Sequence, residues 1–134
     1  MFDRKTKILV VDDFETMRKI TKHILKDLGY DNIDQADNGR SALKMLKNGG
    51  YGLIISDWNM PDIDGLRLLK AIRSNNFYRD IPVLMITAEM KREQVISAAQ
   101  AGVDGYIGKP FSAQDLKDKL QLVYNKRVKN NTPA

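Results

Sequence analysis

Five side chains scattered along this sequence could do chemistry together: the adjacent acids Asp12-Asp13, a third acid at Asp57, a hydroxyl at Thr87 and an ammonium at Lys109. Each follows an apolar run. Ile8-Leu9-Val10-Val11 leads into the acid pair, Leu53-Ile54-Ile55 lies just before Asp57, Val83-Leu84-Met85-Ile86 leads into Thr87, and Tyr106-Ile107-Gly108 leads into Lys109. Three carboxylates in one crevice repel one another unless some stay protonated or a cation neutralises them. The chain has no cysteine and one histidine, His23, so thiolate and multi-histidine metal sites are excluded. Oxygen ligands select a hard ion, and magnesium suits an open site of two carboxylates, a backbone carbonyl and waters. With a lysine and a hydroxyl added, the set suits phosphoryl transfer to an aspartate: a carboxylate attacks in line while cations hold the phosphoryl oxygens. Singly, each residue has a plainer explanation, Asp as helix cap or turn former, Thr87 as strand former and Lys109 as surface charge. The coincidence of five argues for a site.

The elements that must position them follow from hydrophobic period. The runs Lys7–Val11, Ile33–Ala36, Leu53–Ile55, Val83–Ile86 and Tyr106–Gly108 are short and rich in β-branched residues, as buried strands are. Between them the period becomes helical. The expected inward faces are Phe14, Met17, Ile20, Ile24 and Leu28; Ala42, Leu43 and Leu46; Leu66, Leu69 and Ile72; Val95, Ile96 and Ala99; and Leu116, Leu120 and Val123. Gly29, Gly49-Gly50 and Gly102 read as helix stops, and Ser112 with Asp115 as a capping box. His23 lies off the first helical stripe and reads as a solvated residue. Strict strand–helix alternation implies an α/β fold, a doubly wound parallel sheet with helices on both faces. All strand carboxyl ends then share one edge, where such sheets bind ligands.

Composition bounds the rest. At 134 residues the chain reads as one domain over 1–134, with a core from about 5 to 125, a polar basic tail over 126–134 and no output domain. Hydrophobic residues make up 43% and charged residues 29%, and no apolar stretch reaches membrane-spanning length. A cytoplasmic protein is expected. The formal charge of +5 permits nucleic-acid binding but suits an acidic protein partner equally well.

Val10-Val11-Asp12-Asp13, the stretch Ser56-Asp57-Trp58-Asn59-Met60-Pro61-Asp62-Ile63-Asp64-Gly65, Thr87-Ala88 and Lys109-Pro110-Phe111 resemble the motifs of response-regulator receiver domains, over nearly all of residues 5–125. More narrowly, Trp58-Asn59-Met60-Pro61 and Thr87-Ala88-Glu89 resemble the CheY-type chemotaxis branch. The resemblance implies a flavodoxin-like (βα)5 sheet in the order 2-1-3-4-5, which the pattern alone does not give. It implies that Asp57 is phosphorylated by a sensor histidine kinase of the CheA type. Asp13, Asp57 and the Asn59 carbonyl would bind one magnesium ion directly, and Asp12 through water. Lys109 would pair with the phosphoryl group beside a cis Lys109-Pro110 bond. Thr87 and Tyr106 would form a switch, although Tyr106 read alone is equally an edge-strand aromatic chosen for packing.

Further implications concern partners. Lys91, Arg92, Tyr106 and Lys119, on the fourth helix, fifth strand and fifth helix, would meet a flagellar motor switch protein of the FliM type. Asn59 and Glu89 would border the path of attacking water and set a short phosphoryl lifetime, shortened further by a CheZ-type phosphatase where one exists. The protein would be a monomeric signalling receiver, with magnesium-dependent self-phosphorylation and autodephosphorylation, rather than an enzyme. No membrane or sequence-specific nucleic acid would be involved. Two departures stand out: Asp62 adds an acid near the metal, and Gly108 replaces a β-branched residue and should loosen the fifth strand.

Other readings are weaker. A haloacid-dehalogenase-type phosphatase needs an Asp-x-Asp pattern after the first strand, where this chain has Asp12-Asp13. A flavodoxin-like nucleotide binder needs a glycine-bearing phosphate loop there, but Asp12-Asp13-Phe14-Glu15 is acidic. A stand-alone receiver acting as phosphate sink or phosphorelay member stays open beside the motor role.

Overall fold

The structure is a computed structural model that describes residues 1–129. Five parallel strands, β1 (Lys7–Val11), β2 (Ile33–Ala36), β3 (Tyr51–Asp57), β4 (Val83–Thr87) and β5 (Gly105–Gly108), form one sheet in the order β2-β1-β3-β4-β5. Five helices alternate with them: α1 (Glu15–Asp27), α2 (Gly39–Lys47), α3 (Gly65–Ser74), α4 (Arg92–Gln100) and α5 (Ala113–Val123). This is the α/β doubly wound fold the alternation implies, in the strand order the resemblance adds.

Side chains alternate across the pleat and divide the interior into two cores. Leu9, Val11, Ile54, Val83 and Met85 face one side with Ala42, Leu46, Leu68, Leu69, Ile72 and Ala98. Ile8, Val10, Leu53, Ile55, Leu84 and Ile86 face the other with Leu25, Leu116, Leu120 and Val123. Burial on both faces is why these strands read as continuous apolar runs.

Helix orientation departs from the expected stripes in three places. In α1 the deepest residues are Thr21 and Leu25, whereas Phe14 and Ile20 are 64% and 46% exposed. Met17, Ile24 and Leu28 are half-buried and bracket the inward line, so the apolar stripe lies beside the contact line rather than on it. In α3 Leu68 joins Leu69 and Ile72 in the core, and Leu66 is only half-buried. In α4 Ala98 is the buried residue; Ile96 and Ala99 are exposed, because this helix meets the sheet through a small side chain. In α2 and α5 the inward residues fall where the period places them, except that Leu43 is only half-buried.

The tail expected from residue 126 is drawn into the fold as far as Lys129. Tyr124–Lys129 continues α5 as a wider π-helical turn. Arg127 Nε donates to Asp104 Oδ1 at 2.8 Å and Lys126 Nζ to the Val103 carbonyl at 3.1 Å. Arg73 of α3 meets the same acid, its Nη2 lying 2.7 Å from Asp104 Oδ2. Tyr124 packs edge-on against Phe2 at 5.3 Å, and Val128 packs against the same core, so the core runs past both expected ends. Residues 130–134 of the expected tail lie outside the described residues. Among the described residues, no helix is long and apolar enough to cross a membrane.

Candidate functional site

The site is an extension of the sheet. Beyond the ends of the strands the ladder continues for one more bond on each: Asp12 N donates to the Ala36 carbonyl at 3.1 Å, Trp58 N to Ile86 at 2.9 Å and Lys109 N to Thr87 at 2.7 Å. The backbone at Asp12, Trp58 and Lys109 is therefore held by the sheet's own hydrogen-bond ladder. Gly65, at the start of α3, lets the loop after Asp57 fold tightly back against the strand end. A Cβ there would lie 2.4 Å from the Asp57 carbonyl oxygen and 2.8 Å from Trp58 Cα. The Gly65 amide donates to the Trp58 carbonyl at 2.8 Å, and Asp64 caps α3 through the Arg67 amide.

Carboxylate oxygens of Asp12, Asp13 and Asp57 come within 4.8 Å of one another. Asp12 and Asp57 are buried and Asp13 is exposed. Lys109 Nζ lies 3.2 Å from Asp57 Oδ1 and 3.7 Å from Asp12 Oδ2. Burial pushes the Asp57 carboxyl above the ordinary aspartate value, Asp12 adds to the rise, and Lys109 opposes it. Burial raises Asp12 as well, against the Phe14 amide bonded to its Oδ1 at 2.9 Å. Two desolvated acids and a third carboxylate against one lysine leave an excess of negative charge. Their all-oxygen donor set fits a hard divalent cation.

Thr87 is fully buried at the end of β4, and its hydroxyl donates to the Glu89 carbonyl at 2.9 Å, so it faces its own loop. Tyr106 is turned inward at 9% exposure, edge-on to Trp58 with ring centroids 6.1 Å apart. Its buried hydroxyl lies near Thr87 but makes no well-formed hydrogen bond among the described residues. The tyrosine thus links the tryptophan beside Asp57 to the threonine of the next strand.

The other expected residues contribute no carboxylate to this triad. Asn59 is exposed two residues beyond Asp57. Glu89 pairs with Lys91 at 3.1 Å, and Arg92 is exposed at the start of α4. Lys119 is half-buried on α5. His23 is exposed and pairs with Asp27 at 3.3 Å. Lys109-Pro110 is cis, and the Ser112–Asp115 capping box is complete.

Both departures play out differently from expectation. Asp62 is not a fourth acid of the cluster. It adopts φ +69°, a left-handed conformation that aspartate tolerates, and its carboxylate is held by Arg40. Gly108 does not open the fifth strand, which keeps its register with Thr87. Met90 lies over it, 3.2 Å from where a Cβ would stand.

Sequence reasoning missed Arg18, which donates to the Asp12 carbonyl at 2.7 Å. It also missed the Arg73–Asp104–Arg127 cluster. Arginines one turn into α1 and past the last helix carry no motif, so only the fold reveals their targets.

The response regulator receiver domain family matches residues 8–121. The chain is 53% identical over 126 residues to the chemotaxis protein CheY-3 of Vibrio cholerae serotype O1, covering 94% of this chain and 97% of that protein. It is 52% identical over 120 residues to the chemotaxis protein CheY of Pseudomonas aeruginosa, covering 90% and 97%. Among solved structures, the chemotaxis protein CheY4 of Vibrio cholerae superposes with a TM-score of 0.83 at 36% identity, covering 89% of this chain and 98% of that one. A CheY-like receiver domain protein from Methanospirillum hungatei gives 0.84 at 28% identity, covering 95% and 99%. Strand order, acid cluster and sequence identity agree, and the chain belongs to the response regulator receiver domain family, on its CheY-type chemotaxis branch.

Proposed function

We propose that this chemotaxis regulator accepts a phosphoryl group on Asp57 from the phosphohistidine of a CheA-type sensor kinase. When phosphorylated, it binds a FliM-type flagellar motor switch protein to control rotation. The observation that carries the reading is the lysine 3.2 Å from a buried acid inside an acid triad. An Asp57 oxygen attacks phosphorus in line, the new O–P bond forms as the histidine N–P bond breaks, and the imidazole leaves with the bonding pair. Lys109 holds a phosphoryl oxygen throughout. Asp12, Asp13, Asp57 and the Asn59 carbonyl would hold one magnesium ion, whose charge offsets the triad and the developing phosphoryl charge. Removal of the group is a second displacement at phosphorus: water attacks, the Asp57 O–P bond breaks, the carboxylate leaves with the bonding pair and inorganic phosphate departs, and Asn59 and Glu89 border the water's approach. The protein works in the cytoplasm, and this self-catalysed gain and loss of phosphate is its only chemistry.

The switch follows from the second layer. Phosphorylation gives the Thr87 hydroxyl a stronger acceptor than the Glu89 carbonyl, and Tyr106 moves with it. Lys91, Arg92 and Lys119 supply positive charge on the surface that flanks Tyr106, suiting an acidic amphipathic helix. The test is binding of a motor-switch peptide with and without fluoroberyllate. Tight binding only in the fluoroberyllate form supports the reading, while tighter binding of duplex DNA, indifferent to that mimic, sinks it. Equal peptide binding in both forms would favour a phosphate-sink role.

A further inference from the structure

Gly108 is a glycine for space rather than for backbone conformation. Its φ lies outside the left-handed region, and it pairs with Thr87 in the parallel ladder as any strand residue would. A glycine in a strand gives up packing and loses more conformational freedom on folding, so the position carries a cost without a local reason. What the missing side chain leaves is room, and Met90 fills it. Met90 Cγ lies 3.2 Å, and Sδ 3.6 Å, from where a Cβ at position 108 would stand. The rest of the Met90 side chain faces solvent, the residue being 56% exposed.

The loop that Met90 seats on β5 is the one the switch has to move. The Thr87 hydroxyl donates to the Glu89 carbonyl at 2.9 Å, and the Glu89 amide donates back to the same oxygen at 3.2 Å. Little else holds this loop. Ala88, Glu89 and Lys91 are exposed, and α4 begins without a side-chain cap among the described residues.

We propose that Met90 is a positioning residue for the switch. Seated on Gly108, it holds the β4–α4 loop in the arrangement in which Thr87 bonds to Glu89. When Thr87 turns to a phosphoryl oxygen, both bonds to Glu89 break and Met90 leaves Gly108. A contact made in one arrangement and lost in the other biases the equilibrium between them by its own free energy. Met90 therefore lowers the partner affinity of the unphosphorylated chain without touching the phosphoryl group. The fit is one of volume: a large flexible side chain lies over glycine, and a small one over a branched residue would fill the same space. The inference rests on the Thr87–Tyr106 switch of the proposed function.

The experiment uses the full chain and two readouts. One is the Thr87 methyl signal in NMR, placed between its positions in the free chain and in the fluoroberyllate form with magnesium. The other is the Kd of a motor-switch peptide in each form. Met90→Ala should move the free-chain methyl signal along the line toward the fluoroberyllate position. It should tighten peptide binding to the free chain about fivefold and leave the fluoroberyllate form within about twofold. Met90→Leu, close in volume, should keep both parent Kd values within about twofold. Gly108→Val displaces Met90 and should act as Met90→Ala does, whereas the two together refill the space and should restore the parent values. Loss of stability alone would neither move the signal along that line nor be rescued in this way. An unmoved Thr87 signal in Met90→Ala, equal Kd changes in both forms, or a folded double variant that restores nothing would overturn the proposal. If Gly108→Val does not fold, Met90→Ala and Met90→Leu decide it. A peptide that binds neither form, with the Thr87 signal still shifted by Met90→Ala, would count against the motor partner and leave the positioning role standing. A parent Thr87 signal that fluoroberyllate does not move would overturn the switch reading and this proposal with it.

Discussion

Replacing Arg127 by alanine should destabilise this protein more than a substitution in a basic tail has any right to. Asp104 is completely buried and accepts three donors: Arg73 Nη2 at 2.7 Å, Arg127 Nε at 2.8 Å and the Val83 amide at 2.9 Å. The Arg127 side chain is 21% exposed and that of Arg73 15%. A hydrogen bond to a charged group contributes about 1.5–3 kcal/mol, and partial exposure places Arg127 in the lower part of that range. Arg127→Ala should therefore cost about 1.5–2 kcal/mol, because Asp104 keeps Arg73. Asp104→Ala strands two guanidinium groups and a strand amide and should cost about 3–5 kcal/mol. For a chain of this length each kcal/mol lowers Tm by about 4 °C. Urea unfolding followed by circular dichroism measures both, provided the denaturant slope is unchanged. The two substitutions should be strongly non-additive, the double variant being little worse than Asp104→Ala alone. If Arg127→Ala costs less than about 0.5 kcal/mol, the segment is an ordinary surface and the clamp reasoning fails.

Four other outcomes follow from the same geometry. Gly65→Ala should cost about 3 kcal/mol or more, since its methyl meets backbone at 2.4 Å, and thermal unfolding reads this directly. Asp57→Asn, unfolded in EDTA at neutral pH, should be about 1 kcal/mol more stable than the parent. The sign follows from the raised carboxyl: between its unfolded and folded pKa values the folded state binds more protons, so folding stability falls as pH rises through that window. Magnesium should quench or shift Trp58 emission, and Asp13→Ala should weaken that titration about tenfold or more, as loss of a direct carboxylate ligand requires. The phosphoryl group should be lost within about minutes, read by Trp58 recovery; a form lasting hours would remove Asn59 and Glu89 from the lifetime-setting role.

The sheet and its reactive edge were legible because parallel strands buried on both faces leave short apolar runs. The residue that ends each run then stands at the working edge. That logic reached Asp12-Asp13, Asp57, Thr87 and Lys109 from spacing alone, while strand order needed the family resemblance. Helix faces were less legible. Phe14 and Ile20 satisfy the helical period yet point outward, and the small side chains of Thr21 and Ala98 are the ones buried, which hydrophobic period alone does not single out. Charged residues were least legible. Asp62 beside the acid cluster and Arg127 in a basic run look alike as letters, but backbone direction sends one to Arg40 and the other to a buried acid. Arg18 could have been suspected only by asking what holds the Asp12 carbonyl, a question that presupposes the fold.

The central claim is that Asp57 receives the phosphoryl group with the triad's help. The most direct measurement incubates the chain with acetyl phosphate and magnesium, reduces the acyl phosphate with borohydride, and locates the resulting homoserine by peptide mass spectrometry. One modification per chain is expected, at position 57, lost when EDTA replaces magnesium and absent from Asp57→Asn. Modification at another acid, an acid-labile phosphate on His23, or equal labelling without magnesium would contradict the account.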